Sequence, residues 1–329
     1  MTHPGTTRRG VLVAAMAGAA VGAWPTGRAN ALQLGDRGPA PEFAGVSAWL
    51  GSPPLTMAGL RGRVVLIDFW THTCSIWQRT VPYLNRWHDA YRDKGLAIVG
   101  VHTPEFSFEH QRPGVEDAIA RFKLAYPVAQ DNDYATWRAW RNQYWPAHML
   151  VDRSGRIALE HIGEGDYAGL ENAIRQLTGA PGPAVSEPDP DLSGIGSPEM
   201  YLGLARLQYL ASAGRPQPGH QVFTLPAALP LNRFGLSGSW TLASETATLS
   251  EGAGEIALRF RAAKVHIVAG SDAPTILGIT VDGRSQPAAT IHSGRLYTLF
   301  DGGISAERLL KLSIPGPGLR AYTYTFTFG

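Results

Sequence analysis

Hydrophobic and polar positions fall into two regimes along this chain. Between about residues 38 and 178, apolar runs alternate with segments of helical period. Val64–Trp70 has Asp68 as its one charged member, the pattern of a strand buried on both faces. From about Cys74, the residues Trp77, Val81, Leu84, Trp87 and Tyr91 recur at spacings of three and four. That is one face of an amphipathic helix, which Pro82 is predicted to kink. Leu96–Val101 predicts a second buried strand, Val115–Phe122 a helix, Tyr126–Ala129 a short strand and Tyr134–Tyr144 another helix. His148–Asp152 and Ile157–Ile162 predict a hairpin, and Tyr167–Leu177 a closing helix stopped by Gly179. Strands alternating with helices and ending in a hairpin make an α/β domain around a mixed sheet.

After Gly179 the pattern changes. Residues 180–196 are rich in Pro, Gly, Ser and Asp and read as a linker. Ser197-Pro198-Glu199 has the cap and first-turn proline of a short helix, expected to reach about Ser212. Beyond it only strand and turn signals remain: Gln221–Leu225, Gly238–Leu249, Glu255–Phe260, Val265–Val268, Thr275–Val281, Arg295–Phe300 and Leu309–Ile314. Asp282-Gly283 is a hairpin turn signal, and Tyr322–Phe328 alternates aromatic residues with threonines. Short strands at this spacing predict an antiparallel β-sandwich. The first 31 residues differ again. Arg8-Arg9, the apolar run Val11–Ala23 and Ala29-Asn30-Ala31 follow the order of a twin-arginine export signal with its cleavage site. An uncleaved anchor behind a basic N-terminus is the alternative. The expected plan is therefore a signal over 1–31, an α/β domain over 32–179, a linker over 180–196 and a sandwich over 197–329. The expected location is the periplasm, the cell envelope or the exterior.

Composition narrows the chemistry. The formal net charge is +2 and no run of Lys or Arg occurs, so no nucleic-acid partner is expected. No apolar stretch in the body reaches the roughly 18 residues of a membrane helix. The single cysteine, Cys74, excludes an intrachain disulfide and a cysteine-built zinc site, and the signal is not that of a lipoprotein, which needs a cysteine at the cleavage site. No metal and no cofactor is expected. His72, His102 and His148 share no known ligand spacing and read as ordinary polar residues rather than soft-metal ligands beside Cys74. Cys74 itself sits where a strand gives way to a helix. Backbone N–H groups and the helix dipole stabilise a thiolate there, which predicts a nucleophile of depressed pKa. The alternative is a small, inert, buried side chain.

Leu66-Ile67-Asp68-Phe69-Trp70, Cys74, Arg79–Leu84, Val99–Phe106, Asp131–Trp137 and Tyr144-Trp145-Pro146-Ala147 together resemble a thioredoxin fold, in particular the exported thioredoxin-like domains of the TlpA and DipZ kind. The region after residue 197 resembles the jelly-roll-like sandwich that follows such domains and looks like a carbohydrate-binding module. The resemblance implies Cys74 as nucleophile and Asp68 as the buried acid that helps deprotonate a second, resolving cysteine. It implies a cis-proline at Pro146, with the Trp145 backbone as an edge for extended peptide, and a site bordered by Thr71, His72, Thr73 and Trp77. The family motif Trp-Thr-x-x-Cys-x-x-Cys is broken here: the second cysteine is Trp77.

With one thiol, a mixed disulfide is released only by an external thiol reductant. Peroxide would instead oxidise Cys74 to a sulfenic acid. Thr71 fits a one-cysteine peroxidase, but the proline such enzymes carry four residues earlier is Ile67. Trp77 is expected as repacked core, with a ligand-stacking platform as the alternative. Asp68, having lost its family task, is expected to bond backbone or water. Trp240, Tyr297, Tyr322 and Tyr324 would either stack on sugar, or fill the sandwich core or pack against the thioredoxin-like domain, and the alternating tail favours packing. Two functions follow. One is a monothiol thiol–disulfide oxidoreductase acting on protein thiols or disulfides. The other is a redox-inactive binding protein that holds extended peptide and, through the sandwich, cell-wall glycan.

Overall fold

The computed structural model describes residues 32–212 and 215–328. The expected export signal lies outside the described residues. In the first half, β1 (Ala48–Leu50), β2 (Val64–Trp70), α1 (Ser75–Tyr91), β3 (Leu96–His102), α2 (Arg112–Phe122), β4 (Val128–Gln130), α3 (Ala135–Ala139), β5 (Ala147–Val151), β6 (Ile157–Ile162) and α4 (Tyr167–Thr178) follow in order. The strands form one sheet in the order β1-β4-β3-β2-β5-β6. β2 runs parallel to β3 and β3 to β4, while β5 and β6 are antiparallel. Parallel neighbours need a crossover, and α1 and α2 supply the two. β2 and β3 are buried along their whole length, which is why they read as continuous apolar runs. α1 continues through Pro82 to Tyr91. The predicted helix over Tyr134–Tyr144 shrinks to Ala135–Ala139, because Trp137 and Trp140 pack edge-on against Phe69 and the chain leaves the helix with Arg141 in the left-handed region.

The second half is antiparallel: β7 (Met200–Tyr201), β8 (Gly219–Phe223), β9 (Arg233–Leu242), β10 (Ala247–Gly270), β11 (Thr275–Val281), β12 (Arg284–Ile291), β13 (Arg295–Ile314) and β14 (Arg320–Thr327). Several predicted short strands are pieces of two long ones. β10 pairs with β9, β13 and β14 in turn, and register breaks between Ala262 and Lys264 and between Val265 and His266 bend it across the sandwich. Asp282 and Gly283 both take positive φ in the β11–β12 hairpin, as their sequence predicts. The helix expected from Ser197 is absent. Met200–Tyr201 pairs with β14 as a strand, and only Leu204–Arg206 makes a helical turn. The Ser197 hydroxyl accepts from the Arg261 amide rather than capping a helix.

The expected linker is tied down. Trp87 donates to Ser186 Oγ at 2.8 Å, Tyr83 donates to the Pro188 carbonyl, and Glu171 accepts the amides of Val185 and Ser186. β14 then lies against the start of α1. Tyr324 and Phe326 point into the sandwich core, while the threonine face meets the first sheet's domain, Thr325 Oγ1 standing 2.6 Å from Ser75 Oγ. The alternation therefore marks a strand buried on both sides, one apolar and one polar.

Candidate active site

β2 ends at Trp70, and the loop Thr71–Thr73 delivers Cys74 to the N-cap of α1. The Cys74 sulfur accepts the Trp77 amide at 3.4 Å, and its thiol points at the Trp145 carbonyl, 4.0 Å away. The Trp145–Pro146 bond is cis. Cys74 is half-buried. The expected lowering of its pKa is reversed: burial pushes the thiol up, and the nearby Glu199 and Glu105 add to this. The capping amides of Trp77 and Ile76 pull the other way and are outweighed.

The loop before Cys74 is held by a residue that the sequence did not single out. Glu109, fully buried in the short helical turn Ser107–His110, accepts the Thr73 hydroxyl at 2.7 Å and the Thr73 amide at 3.2 Å. Its other oxygen accepts the amides of Glu105 and Phe106. One buried carboxylate thus fixes both the thiol loop and the loop after β3. No hydrophobic period marks it, because its role depends on which backbone amides the fold leaves without partners. His72 is buried over His102, the rings stacked at 5.5 Å, and burial holds both imidazoles below their ordinary pKa. Thr71 is also fully buried. His148 lies elsewhere, beside Asp68. Among the described residues no group of three or more His, Cys, Asp or Glu side chains could hold a metal ion.

Trp77 does more than fill the core. Its ring stacks on Trp70 at 4.1 Å and meets Phe122 edge-on at 5.3 Å. Gly100 gives Trp70 its room, since a Cβ there would stand 2.8 Å from the Trp70 indole nitrogen. Trp77 Nε1 donates to Asp68 Oδ2 at 3.0 Å. The donor to Asp68 is therefore not a backbone group but the side chain that replaces the second cysteine. Asp68 Oδ1 lies 3.4 Å from His148 Nε2, and His148 Nδ1 lies 3.4 Å from His161 Nδ1. Burial, with His148 alongside, holds His161 down to about 4. A run of buried polar groups thus leads from Trp77 away from the thiol.

Two family models match the two halves of the chain. The model described as "Redoxin" matches residues 33–174, and the one described as "Thioredoxin like C-terminal domain" matches residues 197–329. The chain is a thioredoxin-like redoxin domain followed by a thioredoxin-like C-terminal domain. Protein DipZ of Mycobacterium bovis is 37% identical over 310 residues, covering 90% of this chain and 44% of that protein, and DipZ of Mycobacterium tuberculosis matches to the same extent. The chain spans less than half the length of these relatives. Thiol-disulfide oxidoreductase YkuV of Bacillus subtilis is 27% identical, over 43% of this chain and 95% of its own. A solution structure of a thioredoxin-like protein in the oxidized form aligns with 46% of this chain and 97% of its own, at 27% identity and a TM-score of 0.40.

The C-terminal domain reaches the redoxin site. Tyr322 packs on Phe106 and Phe108, and Glu245 accepts the Ser107 amide at 2.9 Å. Glu105 of the redoxin domain accepts from Tyr201 at 2.9 Å and from Arg206 at 2.8 Å, and Glu199 also faces the Tyr201 hydroxyl, at 3.0 Å. Of the two readings of the sandwich aromatics, packing holds and sugar stacking does not. Trp240 is fully buried and donates to the Ser237 carbonyl; Tyr297 is buried with its hydroxyl bonded to His292 and Ser293; Tyr324 is core. Inward-facing strand positions close off their ring faces.

Proposed function

We propose that this chain is a thiol–disulfide exchange protein that works through Cys74 alone. The observation that carries this reading is the placement of its one thiol, at the N-cap of α1 and opposite the carbonyl of cis-bonded Trp145. The relative named a thiol-disulfide oxidoreductase, matched over the redoxin domain, supports it. In the exchange, the Cys74 sulfur attacks one sulfur of a partner disulfide, a Cys74–partner disulfide forms, and the other partner sulfur leaves with the thiol proton. An external thiol then attacks the mixed disulfide, returning Cys74 to the thiol and carrying the partner sulfur away as a new disulfide. Thr71, His72 and Thr73 form the buried loop that sets the sulfur at the head of α1, with Thr73 held by Glu109. Asp68 acts through Trp77, as a positioning residue, since Trp77 stands where the resolving thiol would.

The test is mass spectrometry of the native protein incubated with glutathione disulfide at pH 8.5. One glutathione adduct is expected on the wild type and none on Cys74→Ser. Absence of the adduct on native wild type, with formation on the unfolded chain, would overturn the reading. Because burial and the two carboxylates hold the thiol up, alkylation by iodoacetamide is expected to be slower than for free cysteine at pH 7 and still rising above pH 9.

A second reading has its own observation. The raised thiol pKa and the bonded Trp77 favour a redox-inactive domain that holds extended peptide along the Trp145 backbone. Peptide binding unchanged in Cys74→Ala, with no glutathione adduct on the wild type, would select it. Glycan binding would need residues other than Trp240 and Tyr297. Among the described residues no helix is long and apolar enough to cross a membrane. The Arg8-Arg9 pattern supports export to the envelope, tested by whether Arg8→Lys/Arg9→Lys retains the protein in the cytoplasm.

A further inference from the structure

Glu105 and Glu199 come from different domains and meet at one hydroxyl. The Tyr201 oxygen lies 2.9 Å from Glu105 Oε1 and 3.0 Å from Glu199 Oε2. A phenol carries one proton and donates it once. The second carboxyl at hydrogen-bond distance is therefore well placed only if it brings a proton of its own. Charge balance points the same way. Arg206 bonds Glu105 alone, at 2.8 Å, and its guanidinium lies 3.4 Å from the centre of the Tyr201 ring. Arg206 is thus one close cation against two carboxylates; on Glu199 the Thr325 hydroxyl acts as a neutral donor and Arg79 as a more distant second cation. Glu109 and Glu245 add further negative charge on either side of the Glu105 loop, bound to the amides of Glu105, Phe106 and Ser107. The side chain of Glu105 is only 13% exposed. Two like charges at such a site repel across the domain boundary; one shared proton removes the repulsion.

We propose that Glu105, Tyr201 and Glu199 form a proton-operated latch that holds the C-terminal domain over the redoxin site. With one proton on the carboxyl pair, β7 and β14 stay down against Phe106 and Ser75. When that proton is lost, the two carboxylates repel and the docked state weakens, opening the approach to Cys74. The latch stands on the carboxyl geometry; its consequence for exchange rests on the function proposed above. Burial and Glu199 raise the Glu105 carboxyl to about 7, and burial raises Glu199 as well. The sign follows: the docked state binds the proton more tightly than the open one, so docking is complete at low pH and is lost as pH rises through about 7.

Hydrogen exchange of the full chain between pH 5.5 and 8.5, corrected for the chemical pH dependence of amide exchange, tests the latch without involving the thiol. Protection of the segments Phe106–His110 and Met200–Tyr201 is expected to fall about tenfold between pH 6 and 8, with β2 and β10 unchanged. Glu199→Gln and Glu105→Gln, each leaving one ionisable carboxyl, should flatten that transition. Protection independent of pH in the wild type would overturn the latch, and so would a wild-type transition retained in both variants. Should neither variant fold, the wild-type profile alone decides.

Discussion

On the core side of Cys74, one carboxylate, Asp68, meets an indole N–H and lies beside an imidazole. On the sandwich side, two carboxylates, Glu105 and Glu199, share one phenol with a single arginine bonded to one of them. The first group is sealed within one domain, and the acid has a dedicated donor. The second spans two domains and sets one phenol proton and one close cation against two carboxyls. A buried acid with its own donor is a packing element, whose removal costs stability. A pair of like charges at one shared hydroxyl is relieved by taking up a proton, and its state then follows pH. The same residue types therefore do different work on the two sides of one sulfur.

Truncating the core side should give the largest effect. Trp77→Ala removes a fully buried ring from between Trp70 and Phe122 and strips Asp68 of its donor, and should cost about 3–5 kcal/mol or more in urea unfolding. Trp77→Phe keeps most of the ring and loses the hydrogen bond; about 1–3 kcal/mol is expected. A Trp77→Phe variant as stable as wild type would show that the Asp68 bond contributes nothing.

The next effect is acid instability of that same side. His161 is held down to about 4, below its unfolded value near 6.5, so its stabilising contribution is present above pH 6.5 and disappears as pH falls through 4. Unfolding free energy should fall by up to about 3 kcal/mol over this range on account of His161. His161→Gln should reduce the slope without abolishing it, since burial also holds His266 down to about 4. An unchanged slope would remove His161 from the account. A surface pair calibrates the scale from below: breaking the exposed Arg112–Glu116 contact with Glu116→Ala should shift stability by no more than about 0.5 kcal/mol.

Much of the fold was legible because its elements carry strong local signals. Val64–Trp70, Ile157–Ile162 and Thr275–Val281 come out of the pattern with their observed bounds. Errors gather where tertiary contacts override the local signal. Ser197-Pro198-Glu199 has helix-start chemistry, yet β14 offers Met200 and Tyr201 a strand edge, and pairing with it prevails. The long strands β10 and β13 were seen as fragments because register breaks interrupt their alternation. Within the site, Cys74 was readable from its place where a strand gives way to a helix, and cis-Pro146 only through the resemblance to thioredoxin folds. The state of the thiol was not, since helix-end stabilisation is a local matter, whereas burial and the charges of Glu105 and Glu199 arrive from segments distant in sequence.

By itself the sequence determined an α/β domain around a mixed sheet with one thiol at the head of a helix, because strand and helix periods and the lone cysteine are properties of short segments. Only the tertiary structure decided that Trp77 would serve Asp68, that Glu109 would fix the thiol loop, and that the C-terminal domain would bring two acids and one tyrosine to the site. Hydrogen bonds and desolvation depend on which groups meet after the chain has folded, and here the meeting partners lie as far apart as Ser75 and Thr325.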